Sequence, residues 1–135
     1  MEDLQSILLP GIDSKRPIII AGPCSAETEE QVMTTAKSLA ERGIKIFRAG
    51  IWKHRTKPGG FEGVGVEGLA WLKRVKEETG MYTATEVATE RHVFEALKHG
   101  IDILWIGARA SANIFKVHEM DNALNSVHIA VIIKN

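Results

Sequence analysis

Three times along the chain, a glycine that closes a helical stretch is followed at once by an apolar residue opening a short strand-like run: Gly43-Ile44, Gly80-Met81 and Gly100-Ile101. Glycine enters the left-handed conformation that ends a helix at little steric cost, so this spelling marks a tight helix-to-strand connection. Near the start, Ile18-Ile19-Ile20-Ala21 is a continuous apolar run too short for a helix. A strand buried on both faces reads that way, and such strands belong to parallel sheets covered by helices. A chain punctuated like this is held to a βα alternation.

The rest of the sequence fills in that plan. Thr28-Glu29-Glu30-Gln31 has the spacing of a capping box, and Val32, Ala36, Leu39 and Ala40 behind it form one helical face. The strand Ile44-Lys45-Ile46-Phe47-Arg48 follows Gly43. A glycine-rich stretch over residues 58–68 then leads to a helix with Leu69, Leu72 and Val75 on one face, and next comes the strand Tyr82-Thr83-Ala84-Thr85-Glu86. Thr89 is positioned to cap a helix carrying Val93, Ala96 and Leu97, and a strand over 101–106 follows it. A last helix begins at Ser111 or Ala112, with Ile114, Val117, Met120 and Leu124 inward, before a strand over 129–133. Leu4, Ile7 and Leu8, with Pro10-Gly11 behind them, make residues 1–16 an arm or short helix. Five strands and four helices over residues 17–135 predict an α/β fold with a parallel sheet. Periodicity alone leaves barrel and open sheet as alternatives.

Charge and cysteine content narrow the function. Seventeen Lys and Arg balance seventeen Asp and Glu over 135 residues, so nothing favours nucleic acid or a membrane surface as a general partner. One cysteine excludes an internal disulfide framework and fits a reducing compartment. The acidic start Met1-Glu2-Asp3 lacks the plan of a signal peptide, and no apolar run approaches the roughly 20 residues of a membrane helix. The expectation is a soluble cytoplasmic protein.

In parallel α/β folds, ligands bind beyond the C-terminal ends of the strands. Here those ends read Cys24-Ser25, Arg48, Thr85-Glu86, Arg109 and Lys134-Asn135, and the loop after the second strand adds Lys53, Arg55, Thr56 and Lys57. Converging Arg48, Lys53, Arg55, Arg109 and Lys134 on one face is unfavourable unless an anion sits among them, so a ligand rich in phosphate or carboxylate is predicted. The plainer alternative is a solvated rim of cations. Cys24 alone reads as a small buried residue, the dispersed histidines as solvated or structural, and Trp52, Trp71 and Trp105 as core or interface rather than stacking platforms. Gly59-Gly60, Gly63, Gly65 and Gly68 fit neither a dinucleotide fingerprint nor a Walker loop and read as a pliable active-site loop.

Five ordered motifs carry a resemblance. Ala21-Gly22-Pro23-Cys24-Ser25, Arg48-Ala49-Gly50 with Lys53-His54-Arg55-Thr56, Thr85-Glu86, Ile106-Gly107-Ala108-Arg109 and Lys134 closely resemble the type I 3-deoxy-7-phosphoheptulonate (DAHP) synthases, in the subfamily shared with 3-deoxy-octulosonate 8-phosphate synthases. Lys-x-Arg-Thr is similar to the heptulosonate branch, the octulosonate branch having Ala-Asn-Arg-Ser there. The resemblance implies a TIM barrel and a transferase that condenses phosphoenolpyruvate with erythrose 4-phosphate, the entry to chorismate and the aromatic amino acids. It implies that Arg48, Lys53, Arg109 and Lys134 bind phosphoenolpyruvate, that Arg55 and Thr56 bind erythrose 4-phosphate, and that Lys53 assists proton transfer. Glu86 would orient a water or a lysine. Cys24 would be one ligand of a divalent metal such as Mn²⁺, Fe²⁺ or Zn²⁺. His54 stands where the family has Pro, which loosens the loop carrying Arg55 and Thr56. A complete TIM barrel takes eight strands and about 250 residues, so the resemblance implies the first five units only. The other metal ligands would come from strands outside this sequence, and the chain alone would lack activity. Homo-oligomerisation and a chorismate mutase partner, fused or separate, belong to the same expectation. The alternatives are a non-catalytic half-barrel that binds phosphate ligands or a partner, and an octulosonate-type activity.

Overall fold

The computed structural model describes residues 9–12, 17–52, 63–107 and 130–133. Its elements run β1 (Ile20–Ala21), α1 (Glu29–Glu41), β2 (Ile46–Arg48), α2 (Val66–Thr79), β3 (Tyr82–Val87), α3 (Glu90–Lys98), β4 (Ile103–Ile106) and β5 (Ala130–Ile133). The strands form one parallel sheet in the order β1-β2-β3-β4-β5. The expected fourth helix and the segments 1–8 and 13–16 lie outside the described residues. No helix among the described residues is long and apolar enough to cross a membrane.

Strand order and face decide between barrel and open sheet. An open doubly wound sheet reverses its order at a switch point and carries helices on both faces. Here the order never reverses. Phe47, Val87, Leu104 and Ile106 share one core with Val32, Ala36, Leu69, Leu72, Val93 and Ala96 from all three described helices. The alternate strand positions, Ile46, Ala84 and Ile103 with Ile20, Tyr82, Trp105, Ala130 and Ile132, form a second cluster on the opposite face, and among the described residues only Leu9 and Ile12 from outside the sheet join it. A sheet wound in one direction, with helices on one side and an apolar inner face, is part of a (β/α)8 barrel.

The glycine punctuation works as its spelling implies. Gly43, at φ 85°, donates its N–H to Ala40, and Ile44 donates to Leu39. Gly100, at φ 75°, donates to Leu97, and Ile101 to Ala96. Both are Schellman caps, and they explain why β2 and β4 begin two residues later than the apolar runs do. The N–H groups of Ile44 and Ile101 serve the helix ends instead of the sheet. Thr28 and Thr89 accept from the N–H groups of Gln31 and His92 at 3.0 and 3.1 Å, satisfying first-turn donors of α1 and α3. Gln31 reaches back one residue beyond the capping threonine, its Oε1 accepting from the Glu27 N–H at 2.8 Å.

At the N-terminal end of the sheet, the Asp102 carboxylate accepts from the Thr83 N–H at 2.9 Å and pairs with Lys76 Nζ at 2.8 Å, while Lys76 also donates to the Gly100 carbonyl. Tyr82 donates its hydroxyl to the Pro10 carbonyl at 2.7 Å and so holds residues 9–12 against the inner face. These contacts tie the helix-to-strand corners together at the end away from the site.

Candidate active site

At the C-terminal end of the sheet, close backbone packing brings the strand ends together. Gly22 follows β1 at φ 149°, and a Cβ there would lie 1.9 Å from the Arg48 carbonyl oxygen. Only glycine allows that approach. The Ala26 N–H donates to the Gly50 carbonyl at 2.8 Å, so the loop bearing Cys24 and Ser25 lies against the turn after β2. The buried Thr85 hydroxyl donates to the Ala49 carbonyl at 2.9 Å and links that turn to β3.

Arg48 is the best-defined expected site residue. It alternates with buried Phe47, so it stands on the inner face with Ile46. Its Nε–H donates to the Gly22 carbonyl at 3.2 Å, and its guanidinium carbon lies 5.6 Å from the centre of the Trp105 ring on β4. Trp105 stands opposite Glu86 in the β3–β4 register, and both have inner-face parity. Glu86 is half-buried against Gly107, where an added Cβ would come within 2.1 Å of its carboxylate oxygen. Among the described residues, Arg48 makes no ion pair. A half-buried guanidinium held by a carbonyl and an aromatic face keeps its positive charge available to an anion.

Cys24 is exposed on the loop after β1, which corrects the default reading of a small buried residue. The neighbouring Ser25 hydroxyl is buried and has no hydrogen-bond partner among the described residues. A metal site needs several donors, and no group of three or more His, Cys, Asp or Glu side chains comes together among the described residues. As described, Cys24 is one donor and these residues do not make a metal site. Lys53, Arg55, Thr56, Arg109 and Lys134 lie outside the described residues, so the convergence of five cations rests here on Arg48 alone.

All three tryptophans pack into the apolar clusters as expected, and two of them make further contacts. Trp71 is in the core. Trp105 also lies beneath Arg48, and Trp52 also stacks on His92 with ring centres 4.0 Å apart and planes 7° from parallel. His92 is a structural histidine, its Nδ1 accepting from the Ala88 N–H at 3.1 Å. The sequence signal for Trp105 was its even spacing with Ile103 on β4, hidden because every residue of Ile103–Ile106 is apolar. The glycine-rich stretch also divides. Gly65 donates to the Ile51 carbonyl at 2.9 Å, and a Cβ on Gly68 in α2 would meet Ile51 at 2.4 Å. This end is a packed stem, not pliable loop.

Comparison with known proteins agrees with this geometry. The sequence matches the DAHP synthetase I family over residues 5–135. It is 43% identical over 95 residues to the phospho-2-dehydro-3-deoxyheptonate aldolase of Thermotoga maritima, a match covering 70% of this chain and 28% of that protein. It is 41% identical over 93 residues to a 2-dehydro-3-deoxyphosphooctonate aldolase of Variovorax paradoxus, covering 64% of this chain and 32% of the relative. The crystal structure of the Thermotoga maritima DAHP synthase superposes with a TM-score of 0.74 at 36% identity, over 86% of this chain and 32% of that one. The chain thus spans about a third of the length of these relatives. A parallel sheet wound in one direction, a glycine-lined strand end and a match along nearly the whole sequence agree that the chain belongs to the DAHP synthetase I family.

Proposed function

We propose that this chain supplies the phosphoenolpyruvate-binding part of an enzyme that condenses phosphoenolpyruvate with erythrose 4-phosphate. The observation that carries the reading is Arg48, a half-buried cation fixed on the inner face at the C-terminal end of the sheet with no carboxylate paired to it among the described residues. A dianionic phosphate or a carboxylate is the natural complement of that group. The curated heptonate aldolase relative and the family match support the same chemistry.

In this reading Arg48, Lys53, Arg109 and Lys134 hold the phosphate and carboxylate of phosphoenolpyruvate. Arg55 and Thr56 receive the sugar phosphate, whose aldehyde is attacked by the phosphoenolpyruvate methylene carbon. Lys53 moves a proton, and Glu86 orients it or a water molecule. A divalent metal enters only with ligands from outside the described residues, Cys24 contributing one. Turnover would need the complete set of metal ligands, whereas phosphoenolpyruvate binding by this chain rests on its cations.

The octonate aldolases among the relatives favour a second reading, in which the acceptor is arabinose 5-phosphate. The Lys53-His54-Arg55-Thr56 segment favours the erythrose phosphate.

Calorimetric titration of phosphoenolpyruvate into the chain tests the binding claim. Saturable binding is expected, weakened at least about tenfold by Arg48→Ala, because removing a cation from a charge-assisted contact costs roughly 1.5–3 kcal/mol. Equal affinity in the variant, or no binding by the parent chain, would overturn it.

A further inference from the structure

Resting on the reading of Arg48 as an anion-binding residue, we infer that Trp105 is a positioning residue: its indole face is the floor that fixes the Arg48 guanidinium for phosphoenolpyruvate. Arg48 on β2 and Trp105 on β4 meet on the inner face, the guanidinium carbon 5.6 Å from the ring centre. Their meeting is set by register, since Arg48 pairs with Ala84 and Ala84 pairs with Ile103, two residues before Trp105 on the same face. Ala84, small and buried, is the β3 position between them on that face.

Two restraints then define the guanidinium. The Gly22 carbonyl takes the Nε–H at 3.2 Å, and the indole lies beneath the guanidinium carbon at 5.6 Å. Neither restraint is a carboxylate, so the described residues orient the head without neutralising it. The terminal nitrogens Nη1 and Nη2 form no hydrogen bond with the described residues, leaving the forked edge to meet two oxygens of an anion. An arginine has several rotatable bonds, and ordering them on binding weakens affinity. An aromatic floor that holds the side chain beforehand removes that loss. The same surface shields one face of the guanidinium from water, which strengthens its attraction to charge.

Glu86, beside Trp105 in the register and on the same face, bears on the assignment. It is the nearest described strand position that could have supplied a counter-charge, yet it makes no ion pair with Arg48 among the described residues. Among the described residues, Arg48 meets a π face where a purely structural arginine would take a carboxylate.

The test uses the whole chain and its Trp105→Phe and Trp105→Leu variants, with two readouts. The first is the Arg48 Nε–H resonance in a ¹H–¹⁵N spectrum, assigned by its loss in Arg48→Lys. Ring current should shift it upfield in the parent and in Trp105→Phe, and Trp105→Leu should return it to the position of a solvated arginine. The second is phosphoenolpyruvate affinity by calorimetry, expected to fall about three- to tenfold in Trp105→Leu and to be largely restored in Trp105→Phe. An Arg48 resonance unmoved by Trp105→Leu, or an affinity equal in all three proteins, would overturn the role of Trp105 while leaving Arg48 as an anion site. Absence of binding by the parent would instead overturn the reading of Arg48, and this inference with it. Trp105→Met, apolar and without a ring, is expected to behave as Trp105→Leu does and takes its place if the leucine variant does not fold.

Discussion

At the scale of single residues, the site depends on places where a side chain is missing as much as on places where one is present. Gly22 gives the clearest case. Its backbone lies against that of Arg48, its φ is 149°, and its carbonyl accepts from Arg48 Nε. Alanine there would strain the backbone and also push β1 away from β2. Gly22→Ala is expected to cost about 2–4 kcal/mol in chemical denaturation and to weaken phosphoenolpyruvate binding. A stability within about 0.5 kcal/mol of the parent would contradict the close approach. Gly107 differs, because the atom an added Cβ would meet is the end of the Glu86 side chain, which can move. The motif glycines were visible in the sequence from the start. Which of them touch backbone and which touch a side chain depends on the packing of neighbouring strands, a long-range property that no local spacing contains.

At the scale of elements, the capping signals were the most legible part of the chain. Thr28, Thr89, Gly43, Gly80 and Gly100 mark the helix ends observed, because capping is a local exchange of hydrogen bonds within a few residues. Strand limits were less legible, since residues such as Ile44 and Ile101 serve a cap and a core at once. The pairing of α1 with α2 could not be read at all. On that exposed seam Arg74 bonds to Glu29 at 2.8 Å and also to Glu78, which in turn pairs with Lys37 at 3.4 Å. The hydrogen bond from Arg74 holds the Glu78 carboxyl below the usual carboxylate range. Its proton is therefore bound less tightly in the folded state than in the unfolded chain, so the pair stabilises at neutral pH and the contribution fades as pH falls through the lowered value. The difference in thermal midpoint between the parent and Glu78→Gln should be small near pH 7, shrink below about pH 4, and shrink also in about 1 M salt. A difference that grows on acidification would contradict this sign.

At the scale of the molecule, the sheet order and the helices on one face make the described residues part of a (β/α)8 barrel, which periodicity had left open against an open sheet. The strand-end residues Cys24, Arg48 and Glu86 were legible because parallel folds gather ligand-binding groups at one end. The aromatic floor under Arg48 was not, because it joins residues 57 positions apart through a register that only the folded sheet defines. The proposed division of labour follows, with phosphoenolpyruvate-binding cations in this chain and the metal's remaining ligands elsewhere in the barrel.

The most direct measurement joins residues 17–135 of this chain to the remaining barrel strands of the Thermotoga maritima DAHP synthase and follows phosphoenolpyruvate consumption with Mn²⁺. Consumption that requires erythrose 4-phosphate, falls at least about a hundredfold in Arg48→Ala, and is much slower with arabinose 5-phosphate is the predicted result. Faster turnover with arabinose 5-phosphate would contradict the choice of substrate. A folded chimera that consumes phosphoenolpyruvate with neither sugar would contradict the assignment of this chain to the enzyme's binding half.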